Sequence, residues 1–119
     1  MKKIILIFIL IISILSFSKS NVFTSDGTLN SEKLLEKSWN YGSEGLPTLN
    51  LSITKETNNK YYGSFKTENG KNFSKQEMKI YKNILLQDEV GYCYGYDINL
   101  ERLVVVDPED MKIIFISFD

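Results

Sequence analysis

From Trp39 onward, apolar and polar residues alternate in short runs, each closed by a cluster of turn-forming residues, and no other feature constrains the fold as much. A period of two sends successive side chains to opposite faces of an extended strand, so each run has one face for a core and one for water. Leu49, Leu51 and Ile53 alternate with Asn50, Ser52 and Thr54. Asn58-Asn59 makes a turn, and the return strand puts Tyr61, Gly63 and Phe65 on one face. Asn69-Gly70 supplies the positive backbone angles of a tight turn, and Met78 and Ile80 mark a strand over residues 76–82. Three further strands are read over residues 89–98, 102–107 and 112–118, with Asp107-Pro108-Glu109-Asp110 as the loop between the last two. Residues 103–106 and 113–116 are apolar at every position, which predicts central strands covered on both sides.

Short strands joined by short turns imply an antiparallel meander. The expected fold is mainly β, with six or seven antiparallel strands forming a small barrel or a strongly twisted sheet and one short N-terminal helix. The barrel is preferred, because strands buried on both faces need a covering segment or plug; the alternative lays the helix across an open sheet. That helix is read over residues 31–38, with Ser31 as its cap, Glu32 in its first turn and Leu34, Leu35 and Ser38 on one face. Ahead of it, residues 21–30 are polar and contain the Asp26-Gly27 turn, so a loose start is expected.

Residues 1–20 read as a signal peptide. Lys2 and Lys3 precede an almost unbroken apolar run from Ile4 to Leu15, and Ser16, Ser18 and Ser20 follow at small-x-small spacing. The run is shorter than the roughly 20 apolar residues of a membrane span, so no stable span is expected after cleavage. Cleavage after Ser20 leaves residues 21–119 as a single small β domain, exported to a bacterial periplasm or secreted. Without Lys2, Lys3 and Lys19 the chain keeps 11 basic and 15 acidic residues, a balance that argues against nucleic acid as a partner.

The chain has no His and one Cys, which removes the commonest general base, the commonest transition-metal ligand and any internal disulfide. No catalytic, cofactor-binding or metal-ligating residue is assigned, and an enzyme is not expected. Cys93 reads as a small buried hydrophobe. Asp107, Glu109 and Asp110 read as a solvated turn rather than a calcium loop. Asp88-Glu89 and Asp97 with Glu101 are acid pairs of the kind that arise by chance among 15 acids.

The most distinctive run is residues 91–96, where Tyr92, Tyr94 and Tyr96 fall on one face of a strand and Gly91, Cys93 and Gly95 on the other. Either the rings fill a core while the small residues admit a bulky neighbour such as Trp39, or the tyrosines form a recognition surface. Tyr61, Tyr62 and Tyr41 extend that surface if their strands are neighbours, so the candidate binding residues are Tyr92, Tyr94, Tyr96, Tyr62, Tyr61 and Trp39.

A short helix, then Trp39 within Lys37-Ser38-Trp39-Asn40-Tyr41-Gly42, then a strand meander over residues 39–118 resembles the small exported bacterial barrels of the lipocalin-like (calycin) kind. Lys37 stands where that family has a glycine two residues before the tryptophan. The resemblance implies a tryptophan packed across the barrel floor and a binding or inhibitory module.

The leading expectation is a monomeric, non-enzymatic binding protein that meets a protein partner in the cell envelope through the tyrosines, as an inhibitor or immunity factor does. The alternatives are a lipocalin-like carrier, with a small apolar ligand in a cavity facing Tyr61, Phe65, Trp39 and the tyrosine run, and a structural envelope component. The intact mass of the exported protein is expected to match a chain beginning at Asn21; a mass that includes the apolar run would overturn the signal-peptide reading.

Overall fold

The computed structural model describes residues 21–43, 45–73 and 75–118, so the expected signal peptide lies outside the described residues. Helix α1 (Ser31–Leu35) precedes strands β1 (Trp39–Tyr41), β2 (Leu49–Lys55), β3 (Tyr61–Thr67), β4 (Gln76–Tyr81), β5 (Leu85–Gln87), β6 (Cys93–Asp97), β7 (Arg102–Val106) and β8 (Ile113–Ile116). The strands lie side by side in chain order and every neighbouring pair is antiparallel. Asn40 bridges to Phe118, whose N–H donates to the Asn40 carbonyl at 2.8 Å, and this contact brings the last strand round to the first. The meander is thus a nearly closed barrel, with one short helix among the described residues.

The described residues hold eight strands, not the six or seven expected, and the two that the sequence did not place are β1 and β5. Lys82 and Asn83 both take positive φ, 53° and 64°, and reverse the chain between β4 and β5. That is the backbone geometry of the tightest hairpins, usually written Asn-Gly, and a lysine in its first position conceals it. The strand read over residues 89–98 accordingly begins at Cys93, since residues 88–91 form the next turn, closed by the Gly91 N–H on the Asp88 carbonyl at 3.2 Å.

Alternation places the inward side chains as their period requires. Leu51 and Ile53, then Tyr61 and Phe65, enter the core with Trp39, Tyr41, Met78, Leu86, Tyr94 and Leu103. Helix α1 packs against β2 and β6 and contributes Leu34 to this core. Asn30, not Ser31, holds the N-cap position and makes no side-chain cap bond. At the other end the Trp39 indole N–H donates to the Leu34 carbonyl at 3.0 Å, satisfying a helix-end acceptor.

Residues 21–24 are not loose. Phe23 donates its N–H to the Met111 carbonyl at 2.9 Å, Ile113 donates to the Asn21 carbonyl at 2.6 Å, and Thr24 donates from both N–H and hydroxyl to Asp97 Oδ2 at 3.1 and 3.2 Å. This strap lays Phe23 on the outer face of the sheet, in a second core with Leu85, Cys93, Val104 and Val106. The bulky neighbour of the bare side of β6 is therefore Phe23, while Trp39 lies inside the barrel. Strand β7 is covered on both faces as expected, but β8 is not: Ile114 and Ile116 are exposed, because the strap meets the chain here at Lys112 and at Ile113, the first residue of β8.

A Cβ at Gly95 would lie 2.7 Å from the Phe23 ring and 2.8 Å from Leu85. Gly95→Ala is expected to destabilise by about 1–3 kcal/mol through overpacking, and Phe23→Ala by about 3–5 kcal/mol. In urea unfolding the double variant should be destabilised by less than the sum, with about 0.5–3 kcal/mol of coupling. Strict additivity would mean that the ring does not sit on the glycine.

Candidate functional site

The barrel interior is filled from the helix end outward. Trp39 and Tyr96 meet with ring centroids 6.4 Å apart, and both are buried beside α1. Toward the opposite end, Tyr94 packs edge-on against Tyr41 at 6.2 Å and tilted against Phe65 at 6.1 Å, while Tyr41 meets Phe115 at 5.9 Å. Aromatic pairs in these geometries are worth about 0.5–1.5 kcal/mol beyond their buried area, so the rings form a rigid wall.

This wall is the base of an apolar cleft at the open mouth of the barrel. One lobe, of about 310 Å³, lies between Tyr41, Leu49, Phe65, Phe73, Tyr92 and Tyr94. A second, of about 210 Å³, shares Tyr41, Leu49, Tyr92 and Tyr94 and adds Val105 and Phe115. On the rim Val90 is 76% and Tyr92 50% exposed, so large apolar side chains stand in water around the opening.

Asp88 organises the polar side of the cleft. Its Oδ1 accepts the backbone N–H groups of Val90, Gly91 and Tyr92 at 3.0, 2.9 and 2.9 Å, which fixes the β5–β6 turn and the rim residues on it. Its Oδ2 accepts the Tyr94 hydroxyl at 2.9 Å, and the Tyr94 oxygen lies 3.4 Å from that of Tyr41. Burial raises both tyrosine hydroxyls, that of Tyr94 well above the usual range; around Tyr94 the neighbouring Tyr41 and Asp88 add to the effect, and around Tyr41 the Tyr94 contact opposes it. Burial also raises the Cys93 thiol, which keeps it protonated and poorly nucleophilic on the far side of β6.

The six sequence-derived candidates do not share one outer surface. Tyr94 and Tyr96, at 2% and 9% exposure, point into the barrel with Trp39 and Tyr61. Tyr62 faces outward on β3 beneath the Lys75 ammonium, 4.7 Å from its ring centroid. Only Tyr92 and Tyr94 meet in the cleft, joined by Tyr41, which sequence reasoning had named only as an extension. Leu49, Phe73, Val90 and Phe115 were missed as site residues, and Asp88 was seen only as one of a pair of acids. The available signal was the position of Asp88 directly before a turn containing Gly91, where a carboxylate collects free N–H groups. Asp97 and Asp107 serve their own turns in the same way, through the N–H groups of Asn99 and Leu100 and of Glu109.

Because both buried tyrosines hold their protons more tightly when folded, stability is retained below the unfolded tyrosine range and lost above it. Unfolding free energy is expected to fall above about pH 10, by about 1.4 kcal/mol per pH unit for Tyr94, with a contribution of the same sign from Tyr41. Tyr94→Phe should cost about 1–3 kcal/mol at neutral pH, by leaving Asp88 Oδ2 unpaired, yet make the alkaline decline shallower by one such increment. Denaturant titrations between pH 8 and 11 check both; an unchanged alkaline slope would show that Tyr94 ionises freely in the fold.

No family model matches the chain, and neither a curated protein nor a solved structure matches it, so the functional reading rests on the geometry of this mouth.

Proposed function

We propose that the protein is an exported, non-enzymatic carrier that holds a small apolar ligand in the mouth of its barrel. The observation that carries this reading is the aromatic cleft itself, whose 310 Å³ lobe adjoins a 210 Å³ lobe and whose walls are backed by packed core. Small-molecule sites are mostly apolar, largely preformed and about this size. The reading is lipocalin-like in its use of a barrel, with one difference from the expectation of an interior cavity. Trp39, Tyr61, Tyr96 and Met78 occupy the interior, so the ligand is seated at the opening.

The apolar rim favours a second reading, in which an envelope protein lodges an apolar side chain in the same cleft. Exposed Val90 and Tyr92 beside Phe73 would then be contact residues. An exposed patch made of Tyr92, Tyr94, Tyr96 and Tyr62 together is no part of either reading, because two of the four are buried.

Titration with naphthalene, followed by amide NMR, is expected to give saturable shifts at Tyr41, Leu49, Tyr92 and Tyr94 with Kd on the order of 100 µM. Leu49→Lys should weaken binding at least tenfold while shifting the melting temperature by only a few degrees (about 1 kcal/mol). Scattered, unsaturable shifts would overturn the carrier reading, and co-purification of a stoichiometric protein would favour the second.

A further inference from the structure

We infer that the mouth selects ligands whose apolar body carries an N–H or O–H donor, neutral or cationic, and discriminates against carboxylates. The inference rests on the carrier reading and adds the polarity of what is carried. It follows from counting protons along the hydroxyl row. Asp88 Oδ1 is filled by three backbone N–H groups and Oδ2 by the Tyr94 hydroxyl, so the single Tyr94 proton is committed to the carboxylate. In the 3.4 Å contact between the two hydroxyls Tyr41 must therefore be the donor. Every proton in the row points toward Asp88, and the row ends at the Tyr41 oxygen, an acceptor on the wall of both lobes.

The charge distribution points the same way. Asp88 is only 8% exposed, and among the described residues no ion pair is made to it. Among the described residues no lysine or arginine lines either lobe and Asp88 is the one charged residue there; Gln76 brings the one side-chain amide, whose Oε1 accepts the Glu89 N–H at 3.0 Å and whose NH2 stays a neutral donor. On the rim the Lys71 ammonium lies 5.7 Å from the Phe73 centroid. On its other side Asp88 lines a polar cleft with Glu77, Glu89 and Lys79, and Glu77 there pairs with the Lys60 ammonium at 3.7 Å. A carboxylate entering the mouth would meet an acceptor and a buried negative charge, whereas a hydroxyl or ammonium would complete the row. The aromatic faces of Tyr41, Tyr92 and Tyr94 also suit a cation.

The test titrates the purified protein at pH 7 with four probes of similar shape: 1-methylnaphthalene, 1-naphthalenemethanol, 1-naphthylmethylamine and 1-naphthylacetate. The alcohol and the amine are expected to bind about tenfold more tightly than methylnaphthalene, with the carboxylate weakest. Tyr41→Phe keeps the ring and removes the terminal acceptor, so the ratio of alcohol to methylnaphthalene affinity should fall to about one. If that variant fails to fold, the wild-type series alone decides. Equal affinities, or a preference for the carboxylate, would overturn the donor rule and leave the carrier reading standing. Saturable binding by none of the four would overturn both. A ratio that survives Tyr41→Phe in folded protein would overturn the assignment to Tyr41.

Discussion

A strand that is dry on both faces can exist only if each face has its own cover, and β6 has two covers of different origin. Its inner side chains, Tyr94 and Tyr96, enter the barrel core, while Cys93 and Gly95 lie under Phe23 of the N-terminal strap. The bulk on one side and the bareness on the other are one arrangement. Small outer residues let the strap approach the backbone closely, and the close strap seals the hydrogen bonds of β6 with β5 and β7 from water.

An aspartate stands at each end of this strand. Asp88 ties the preceding turn and reaches the Tyr94 hydroxyl; Asp97 ties the following turn and reaches Thr24 of the strap. Asp97 thus joins its hairpin to the distant strap, while Asp88 locks its own hairpin and reaches Tyr41 of β1 only through the Tyr94 hydroxyl. Buried acceptors must be paired, so the turn, the strand and its cover are expected to form as one unit. The candidate site benefits directly, since Asp88 sets both the rim and the hydroxyl row.

The two ends of the barrel are finished differently. At one, α1 and Trp39 close the floor, with the indole N–H satisfying the helix end. At the other, among the described residues, no helix lies across Tyr41, Leu49, Phe65 and Tyr94, and the space above these rings is the cleft. A filled interior supports a firm binding wall, because rings already packed against one another lose little freedom when a ligand arrives.

Strand faces are local properties, set by which side chains alternate along a few residues, and so Leu51 and Ile53, Tyr61 and Phe65, and the split of residues 91–96 into bulky and bare sides were all readable from the sequence. So were the turns at Asn58-Asn59 and Asn69-Gly70, whose residues tolerate positive φ. Strands β1 and β5 escaped because three residues are too few to show a period, and the turn into β5 is written Lys-Asn. What covers each face was not readable, since it depends on pairs far apart in the chain: Phe23 on Gly95, Thr24 on Asp97, Tyr41 beside Tyr94. The sequence by itself determined a β meander with an aromatic strand and its inner and outer sides. Only the tertiary structure decided that the tyrosines line a core and its mouth instead of an outer surface, because closing the barrel chooses which face of every strand is inside.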